Sequence, residues 1–416
     1  MGLRSFFTTG SWSSSTGVRS ALSNNFLSGV WSSNKVASGV SVTKSNAMTI
    51  AGVYSAVRVI TDAVSSLPIH VINDNGTTKT KEIDHPISTL LSKEPNNLMT
   101  SFIWRQIIMP HVLLWGNSYN VIEFAGGGSR RPISILPVHP SKVEVMNIDG
   151  LLWYKIKIEG AKDLMVDQSN ILHFRGLGDE IIGRSVIDHA KENLGLGKAA
   201  EQFGSTFFGN GANMHGVLSS DKGLTDKAIT NLRASVDTIH GGISRSNKIL
   251  ILEEGLKFTN TSIPPDAAQF LETRKFSITD IARWFKVPPH KIGDLERATF
   301  SNIEEMELSF AKESLLPYIL MMEQEIDRKL FRESEKRTMY SKMNLDGLLR
   351  GDIKTRYEAH KIGIQNGFIT PNEARAKEEM NPIEGLDTTW MQLNTAPVVN
   401  GTNQPEQINN NTDEES

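Results

Sequence analysis

The chain has 416 residues and no cysteine, which predicts about two or three domains and excludes disulfides, thiol nucleophiles and cysteine-bound metal centres. Its 44 basic and 47 acidic residues give a net charge of −3, which excludes a protein that binds nucleic acid over its whole surface. No run of about 18 apolar residues occurs, so we predict no membrane-spanning helix and no membrane partner.

The two ends of the chain differ in composition from the middle. Residues 1–46 are rich in serine and contain no acidic residue, since the first is Asp62. We predict a disordered arm here, with an organelle transit peptide as the second interpretation. Residues 387–416 are rich in Asn and polar groups, which predicts a disordered tail.

The first elements follow from hydrophobic spacing and turn residues. A helical face formed by Val53, Val57, Ile60, Val64 and Leu67 precedes Pro68, which ends the helix. A hairpin turn is expected at Asn75-Gly76. A second helix is expected from Ser101, with Pro110 as a kink and an apolar face formed by Ile103, Ile107 and Leu114. Short strands separated by turn signals are predicted over 118–174, most clearly at 152–158.

The second half is predicted to be mainly helical. Ser185 caps a helix running to Phe208, which contains Gly195, Gly197 and Gly204. Those glycines indicate either close approach of a neighbouring backbone or a simple break in the helix. A small α+β unit follows, and a helix over 266–286 comes after it. Its elements are a strand at 217–218, a helix from Thr225, and a hairpin of 249–252 with 256–258.

A long helix over 301–332 is predicted next. Ser301 and Glu304 match a capping box at its start, and Pro317 predicts a kink inside it. Three short helices are expected afterwards, over 345–350, 354–364 and 371–379. Thr370 and Glu373 form a second capping box before the last of them.

Motifs that carry catalytic chemistry are absent from the sequence. It contains no nucleotide-binding P-loop, no G-x-S-x-G nucleophile turn and no H-E-x-x-H metal motif. His85, His139 and His290 each neighbour a proline and are interpreted as structural. The pairs Glu304-Glu305 and Glu378-Glu379 are interpreted as solvated helix faces. We therefore predict no catalytic, cofactor-binding or metal-binding residues, and a protein that is not an enzyme.

Short segments spread over residues 47–386 carry a further signal in their order along the chain. They are Val53–Ile60, Ser66-Leu67-Pro68, His85-Pro86, Leu90-Leu91, Glu94-Pro95-Asn96, Gly116-Asn117-Ser118-Tyr119, Gly183-Arg184-Ser185, Asp280–Pro289, Leu315-Leu316-Pro317, Leu349-Arg350-Gly351-Asp352, Arg356-Tyr357 and Gly367–Arg375. Together these segments resemble the portal proteins of tailed bacteriophages, specifically the shorter branch of lambda-like, long-tailed phages.

The resemblance implies an α+β fold with a wing, a helical stem, a small α/β clip and a helical crown. The expected regions are an arm (1–46), a wing (47–184), stem helix 1 (185–211), a clip (212–263), stem helix 2 (264–287), a tunnel loop region (288–300), a kinked long helix with a return to the wing (301–344), crown helices (345–386) and a tail (387–416).

The resemblance also implies a function. Portal proteins form a ring of about twelve subunits at one capsid vertex of the virion, assembled in the host cytoplasm. Double-stranded DNA is packaged and later ejected through the ring without sequence-specific binding. The implied partners are the terminase large subunit, the major capsid protein and a head–tail connector. Two alternatives stay open: an adaptor or scaffolding protein without a channel, and a DNA-processing packaging enzyme.

The resemblance extends to particular residues. The counterpart of the tunnel loop is expected to line the channel with Lys291, Asp294, Glu296, Arg297, Thr299 and Phe300. Gly195, Gly197 and Gly204 are expected to let neighbouring stem helices approach closely in the ring. Pro317 is expected to kink the helix below the tunnel loop.

Overall fold

The computed structural model describes residues 39–126, 130–178, 181–209, 216–219, 225–227, 229–230, 257–260, 278–294, 300–345, 353–378 and 380–389. The chain divides into two compact units, Met1–Leu345 and Asp346–Ser416. Most of the predicted arm and tail lie outside the described residues. Within the end of the arm, Val42 is buried in the main core, so packed structure begins before residue 47.

The first helix follows the predicted pattern. Helix α1 spans Ala51–Ser66, and all five residues of its expected face are buried. Strands β1 (Ile69–Asp74) and β2 (Lys79–Lys81) form the expected antiparallel hairpin around Gly76, whose φ of 86° needs a glycine. Strand β11 (Met339–Met343) pairs with the other edge of β1, giving a three-stranded sheet in the order β11-β1-β2.

The face predicted for the next long helix is confirmed at Leu114, which is buried, and wrong at Ile103. Helix α2 spans Pro86–Ser92, and helix α3 spans Ser101–Trp115. Ile103 is 42% exposed, whereas Trp104 is fully buried and its indole N–H donates to the Asn120 side chain. Apolar residues surround α3 on most sides, so their spacing could not indicate which side would meet the core.

Two antiparallel sheets follow α3. The first contains β3 (Asn117–Phe124), β4 (Pro132–Val138) and β8 (Ile171–Arg175) in the order β4-β3-β8. The second is a meander of β5 (Val143–Ile148), β6 (Leu151–Ile156) and β7 (Leu164–Asp167). The strand predicted at 152–158 is therefore β6, which ends two residues earlier. A small separate core fills this region, with Tyr119, Val145, Tyr154, Ile156, Val166 and Ile171.

The second half of the first unit is mainly helical. Helix α4 spans Val186–Gly209, and strands β9 (Gly216–Ser219) and β10 (Lys257–Asn260) pair antiparallel. Helix α5 occupies 278–285 among the described residues. Helix α6 (Phe300–Ser309), a π-helical segment (Phe310–Leu315) and helix α7 (Leu316–Leu330) then run without interruption.

Several predicted elements lie partly or wholly outside the described residues. They are the strand at 249–252, which lies wholly outside, most of the helix from Thr225, the first part of the helix at 266–286, and all but the first residue of the helix at 345–350. The described partner of β10 is β9. Helix α6 already begins at Phe300, so Ser301 lies inside the helix and the predicted N-cap position is wrong.

The second unit contains two described helices, α8 (Ile353–Gln365) and α9 (Pro371–Lys377). The predicted capping box before α9 is confirmed, since the Thr370 hydroxyl accepts from the Glu373 N–H and the Glu373 carboxylate accepts from the Thr370 N–H. The solvated face predicted at Glu378 is wrong. Its carboxylate bonds to Arg356 at 2.6 Å and to His360 at 3.0 Å, with the side chain largely covered.

Among the described residues, no helix has the length and hydropathy needed to cross a membrane.

Candidate functional site

Two glycine-containing segments meet where helix α3 ends and helix α4 begins. We call Gly116, Asn117, Gly183 and Ser185 the Asn117 junction. Gly116 ends α3 with a φ of 77°, and a side chain there would lie 2.5 Å from the Gly183 carbonyl oxygen. Only glycine combines that conformation with that close approach.

Hydrogen bonds fix the junction. The Asn117 amide donates to the Gly183 carbonyl at 2.7 Å, and its oxygen accepts from the Gly183 N–H at 2.9 Å. The Ser185 hydroxyl donates to the Leu114 carbonyl at 2.5 Å. It also accepts from the Ile187 N–H at 3.0 Å, which confirms Ser185 as the cap of α4. The start of α4 is therefore bonded to the end of α3.

A buried histidine extends this junction into the small core. His173 Nε2 donates to the Asn117 side-chain oxygen at 2.9 Å, and the Tyr154 hydroxyl donates to His173 Nδ1 at 3.1 Å. Burial, and then the positive charges of Arg175, Arg328 and Lys329, lower the pKa of His173 to about 3. Its ring is 95% covered and both nitrogens are bonded, so it holds β3, β6 and β8 together as a neutral group.

A second tightly built region lies between α5 and the long helix. Lys286, with φ of 53°, ends α5 in the left-handed conformation. The Lys286 N–H donates to the Arg283 carbonyl at 3.2 Å, and the Val287 N–H donates to the Ala282 carbonyl at 2.9 Å. This is a Schellman stop, with lysine where glycine is usual. The Ser314 hydroxyl donates to the Lys286 carbonyl.

Ser314 lies in the π-helical segment that precedes Pro317. In that segment the Leu316 N–H donates to the Ala311 carbonyl five residues earlier. Proline lacks an N–H, and its ring clashes with the carbonyl four residues before it in an α-helix. The π segment replaces the α-helical turn in which that clash would occur, and Pro317 lies in the first turn of α7, where proline is tolerated. We call Lys286, Ser314 and the π segment the Lys286 joint.

The predicted tunnel residues are described only in part. Lys291 lies in a short 3₁₀ turn, with its ammonium 2.6 Å from the Glu307 carboxylate on α6 and over the Phe310 ring. His290 lies 3.3 Å from the same carboxylate. Asp294 accepts a long hydrogen bond of 3.5 Å from the Thr279 hydroxyl on α5. The segment is thus held to α5 and α6 at its described end.

The remaining predicted tunnel residues cannot be placed in the same detail. Glu296, Arg297 and Thr299 lie outside the described residues, and Phe300 is described only as the first residue of α6. Their role in lining a channel stays a prediction.

The predicted stem glycines lie on α4. Gly195 and Gly204 are buried within this single chain, and Gly197 is half-buried. Gly197 borders a cavity of about 140 Å³ between α1, α4 and α5, together with Gly52, Leu194 and Ile281. The start of α4 contacts α5 directly, since Asn193 donates to Asp280 at 2.8 Å. Packing of these glycines against a neighbouring subunit stays a prediction.

Comparison with known proteins identifies the family. The sequence profile of the phage portal protein family matches residues 51–379. The chain belongs to the phage portal protein family. It is 31% identical to the probable portal protein of Streptomyces phage phiC31 over 84% of this chain and 79% of the relative. It is 30% identical to the portal protein of Enterobacteria phage HK97, over 87% of this chain and 86% of that protein.

Solved structures share the fold of this chain. An HK97 family phage portal protein from Corynebacterium diphtheriae aligns with a TM-score of 0.56 at 16% identity, covering 74% of this chain and 96% of that one. A chain in the neck of the native gene transfer agent (GTA) particle, computed with C12 symmetry, aligns with a TM-score of 0.52 at 20% identity. It covers 80% of this chain and 91% of that one. This portal family member is a structural protein of a phage particle with an α+β fold.

Several of the portal-like segments lie at helix ends, whereas Val53–Ile60, Leu90-Leu91 and Arg356-Tyr357 lie inside helices. Gly116-Asn117 and Gly183-Arg184-Ser185 form the Asn117 junction, although they are distant in sequence. The roles of His173, Ser314 and Lys286 were missed, because nothing local in the sequence indicates their partners. The sequence features that did point to the Asn117 junction were the two short segments Gly116-Asn117 and Gly183-Arg184-Ser185.

The described part of the chain holds no group of three or more His, Asp or Glu side chains arranged to bind a metal ion.

Proposed function

We propose that copies of this portal family member assemble into a ring of about twelve subunits, with a central channel through which double-stranded DNA enters the head and later leaves it. The family match over residues 51–379 carries this proposal. The twelvefold symmetry used for the gene transfer agent neck, which contains a chain of the same fold, supports the number of subunits.

The proposal assigns a region to each task. Residues 47–184 form the wing, 185–211 and 264–287 the stem, 212–263 the clip, 288–300 the tunnel loop region, 301–344 the kinked helix and return, and 345–386 the crown. The contact of Asn193, near the start of stem helix 1, with Asp280, near the end of stem helix 2, supports an out-and-back pair. The β9–β10 pair supports a folded unit between them.

The charges near the tunnel loop fit a channel in which a DNA duplex slides past the protein without being held by it. A surface that neutralises many phosphates binds DNA strongly and resists movement. Lys291 is already neutralised by Glu307, so its cation is not available as a strong phosphate contact. Across the whole sequence the charges nearly balance, which supports a conduit that does not hold DNA through many phosphate contacts.

The proposed partners are the terminase large subunit during packaging, a head–tail connector afterwards, and the major capsid protein around the ring. Assembly takes place in the host cytoplasm before the portal becomes part of the virion. The protein acts without catalysis, cofactor or metal. The near-complete coverage of the HK97 portal protein supports this full structural role.

Electron microscopy combined with native mass spectrometry of the purified chain tests the ring. We expect closed rings of about twelve subunits with an open centre of about 20 Å or more, the width that a duplex requires. A chain that stays monomeric or dimeric at high concentration and with capsid protein present would instead support an adaptor role. ATPase or nuclease activity would support the packaging-enzyme alternative.

Deletion of residues 294–299 tests the tunnel loop. Rings should still form, because the wing and stem are unchanged, but packaging or DNA retention should fail. Normal numbers of full heads from this variant would refute the assignment.

Gly195→Leu tests close packing of the stem. We expect loss of ring closure, measured by native mass spectrometry, while Gln202→Leu adds a similar side chain at an exposed position of α4 and should leave rings intact. Gly195 is buried within the chain, so a larger side chain there also affects folding. Circular dichroism therefore checks that the variant is folded before loss of rings is assigned to the contact between subunits. Normal rings from a folded Gly195→Leu variant would contradict the assignment.

A further inference from the structure

A groove of about 410 Å³ is lined by residues outside the tunnel segment and carries an excess of cations. Three pieces of chain form it: Arg130 before β4, the turn at Gln168 and Ser169 between β7 and β8, and the end of α7 with the residues after it. Its charged lining residues are Arg130, Arg328, Lys329, Arg332, Glu333 and Lys336. Five cations therefore face one carboxylate.

Three of these cations have carboxylate partners nearby. Arg328 lies 2.7 Å from Glu325, Lys336 lies 2.5 Å from Glu333, and Arg332 lies 4.0 Å from Glu335. These pairs neutralise much of the charge along the outer wall of the groove. They also hold the long side chains in place around it.

Arg130 and Lys329 differ from those three. The Arg130 guanidinium donates to the Ser169 carbonyl at 3.2 Å and lies over the Phe124 ring, while the Lys329 ammonium donates to the Gln168 carbonyl. In the part of the chain that the structure describes, their direct partners are neutral groups. Two carboxylates act on Lys329: that of Glu325 is paired with Arg328, and that of Asp167 accepts from the Ser169 N–H at 2.6 Å.

The two cations also act on each other. Burial, together with the positive charges of Arg328 and Arg130, lowers the pKa of Lys329, and the carboxylates of Glu325 and Asp167 offset this only in part. Arg130 also helps lower the pKa of Glu333. Two cations held close together on neutral partners bind an anion favourably, since it relieves their repulsion.

We propose that this groove binds a phosphate group, with Arg130 and Lys329 as its main ligands. Guanidinium and ammonium groups together match the tetrahedral oxygens of phosphate better than a single flat carboxylate. A volume of about 410 Å³ equals roughly a dozen water molecules, so the groove also has room for the groups attached to a phosphodiester. The phosphate is either free phosphate or part of a nucleic acid backbone.

Isothermal titration of the full-length protein with inorganic phosphate at constant ionic strength is the first arm of the test. Arg130→Gln with Lys329→Gln removes both charges and keeps an amide that can donate to the Gln168 carbonyl. We expect at least about tenfold weaker phosphate binding in this variant, as two charge-assisted bonds are lost. Arg130→Gln alone, at an exposed position, serves if the double variant loses stability.

Lys157→Gln is the matched control. Lys157 is an exposed lysine just after β6. In the hairpin of β6 and β7, Asp167 pairs with Trp153, so Lys157 lies at the other end of the hairpin, away from Asp167. The Lys157→Gln substitution removes one positive charge from the same domain without changing a residue of the groove. Its phosphate binding should equal that of the unchanged protein.

Titration of a short DNA duplex over a range of salt concentrations is the second arm. If the groove takes phosphodiesters, the double variant should lower the slope of log affinity against log salt by about two, since each phosphate contact contributes about 0.9. Loss of inorganic phosphate binding with an unchanged duplex slope assigns the groove to free phosphate. The proposal is overturned if neither arm distinguishes the double variant from Lys157→Gln. None of these outcomes depends on ring formation or on a DNA channel.

Discussion

The Asn117 junction and the Lys286 joint both fix the end of a helix, but they do so with opposite chemistry. At the junction, glycines allow close backbone contact and every buried polar group named there has a partner. At the joint, a lysine takes the left-handed conformation and the neighbouring helix contains a π segment. A residue other than glycine in the left-handed conformation costs about 1–3 kcal/mol in general.

This difference teaches where the molecule is rigid and where it stores strain. The junction ties α3, β3 and α4 into one body through the hydrogen bonds of Asn117 and Ser185. The joint lies beside the tunnel segment, and a glycine at position 286 would relieve the left-handed conformation there. Strain beside a proposed channel constriction suits a segment that has to adjust to passing DNA.

Replacing Asn117 with alanine should have the largest effect, because it removes the side chain whose hydrogen bonds hold the Asn117 junction together. The change leaves the Gly183 N–H, the Gly183 carbonyl and the His173 Nε2–H without partners. Each unpaired buried group costs about 1–3 kcal/mol, so we expect a loss of about 3–5 kcal/mol. Urea unfolding followed by tryptophan fluorescence measures it.

Asn147→Ala is the control for that variant. Asn147 is an exposed residue of β5, and its loss should change the free energy of unfolding by less than about 0.5 kcal/mol. If Asn117→Ala also costs less than about 1 kcal/mol, the junction is not the rigid centre described above.

Lowering the pH should weaken the junction next. The pKa of His173, which bonds to Asn117, is lowered to about 3. His111 lies on α3 outside the junction, and its pKa is lowered to about 4; burial is the main cause in both cases. The unfolded chain takes up these protons near pH 6.5, before the folded chain does, so this stability is complete above that pH and falls as the pH drops. Each histidine should contribute up to about 1.4 kcal/mol per pH unit between pH 6 and 4.

Urea midpoints at pH 7.5, 5.5 and 4.5 test this contribution. His173→Gln should have a smaller pH slope than the unchanged protein, even though it is less stable at every pH. Comparing slopes removes the contribution of the carboxylates, which titrate in both proteins. Equal slopes would show that His173 does not stay neutral in the folded chain.

Replacing Ser314 with alanine should have a moderate effect on the joint. The variant loses the hydrogen bond to the Lys286 carbonyl in a buried position, so we expect a loss of about 1–2 kcal/mol. Ser309→Ala removes an exposed serine just before the π segment and should be close to neutral. Calorimetry measures the melting temperatures of the two variants. Equal melting temperatures would show that Ser314 does not stabilise the Lys286 joint.

Replacing Lys286 with glycine should have the smallest effect, and it should stabilise the chain. Glycine avoids the cost of about 1–2 kcal/mol of the left-handed conformation but loses about 0.5–1 kcal/mol to chain entropy. The expected gain is about 0.5–1 kcal/mol in urea unfolding. Lys286→Ala keeps the conformational cost and should show no gain. A loss of stability in the glycine variant would mean that the joint is not strained at Lys286.

The sequence by itself determined what depends on neighbouring residues. The buried face and end of α1, the hairpin at Gly76, the Ser185 cap and the Thr370 capping box follow from spacing, proline, glycine and capping chemistry within a few residues. The order of short segments along the chain also indicated the portal family. These features need no knowledge of what packs against them.

The tertiary structure decided what depends on distant partners. The α3 helix turns Trp104 inward because Asn120 accepts its N–H, and Glu378 is covered because Arg356 and His360 bind it. Asn117 and Gly183 meet although 66 residues separate them. Which polar groups become buried partners of one another depends on how whole helices and strands pack together. The spacing of residues within one segment does not identify partners that are distant in the sequence.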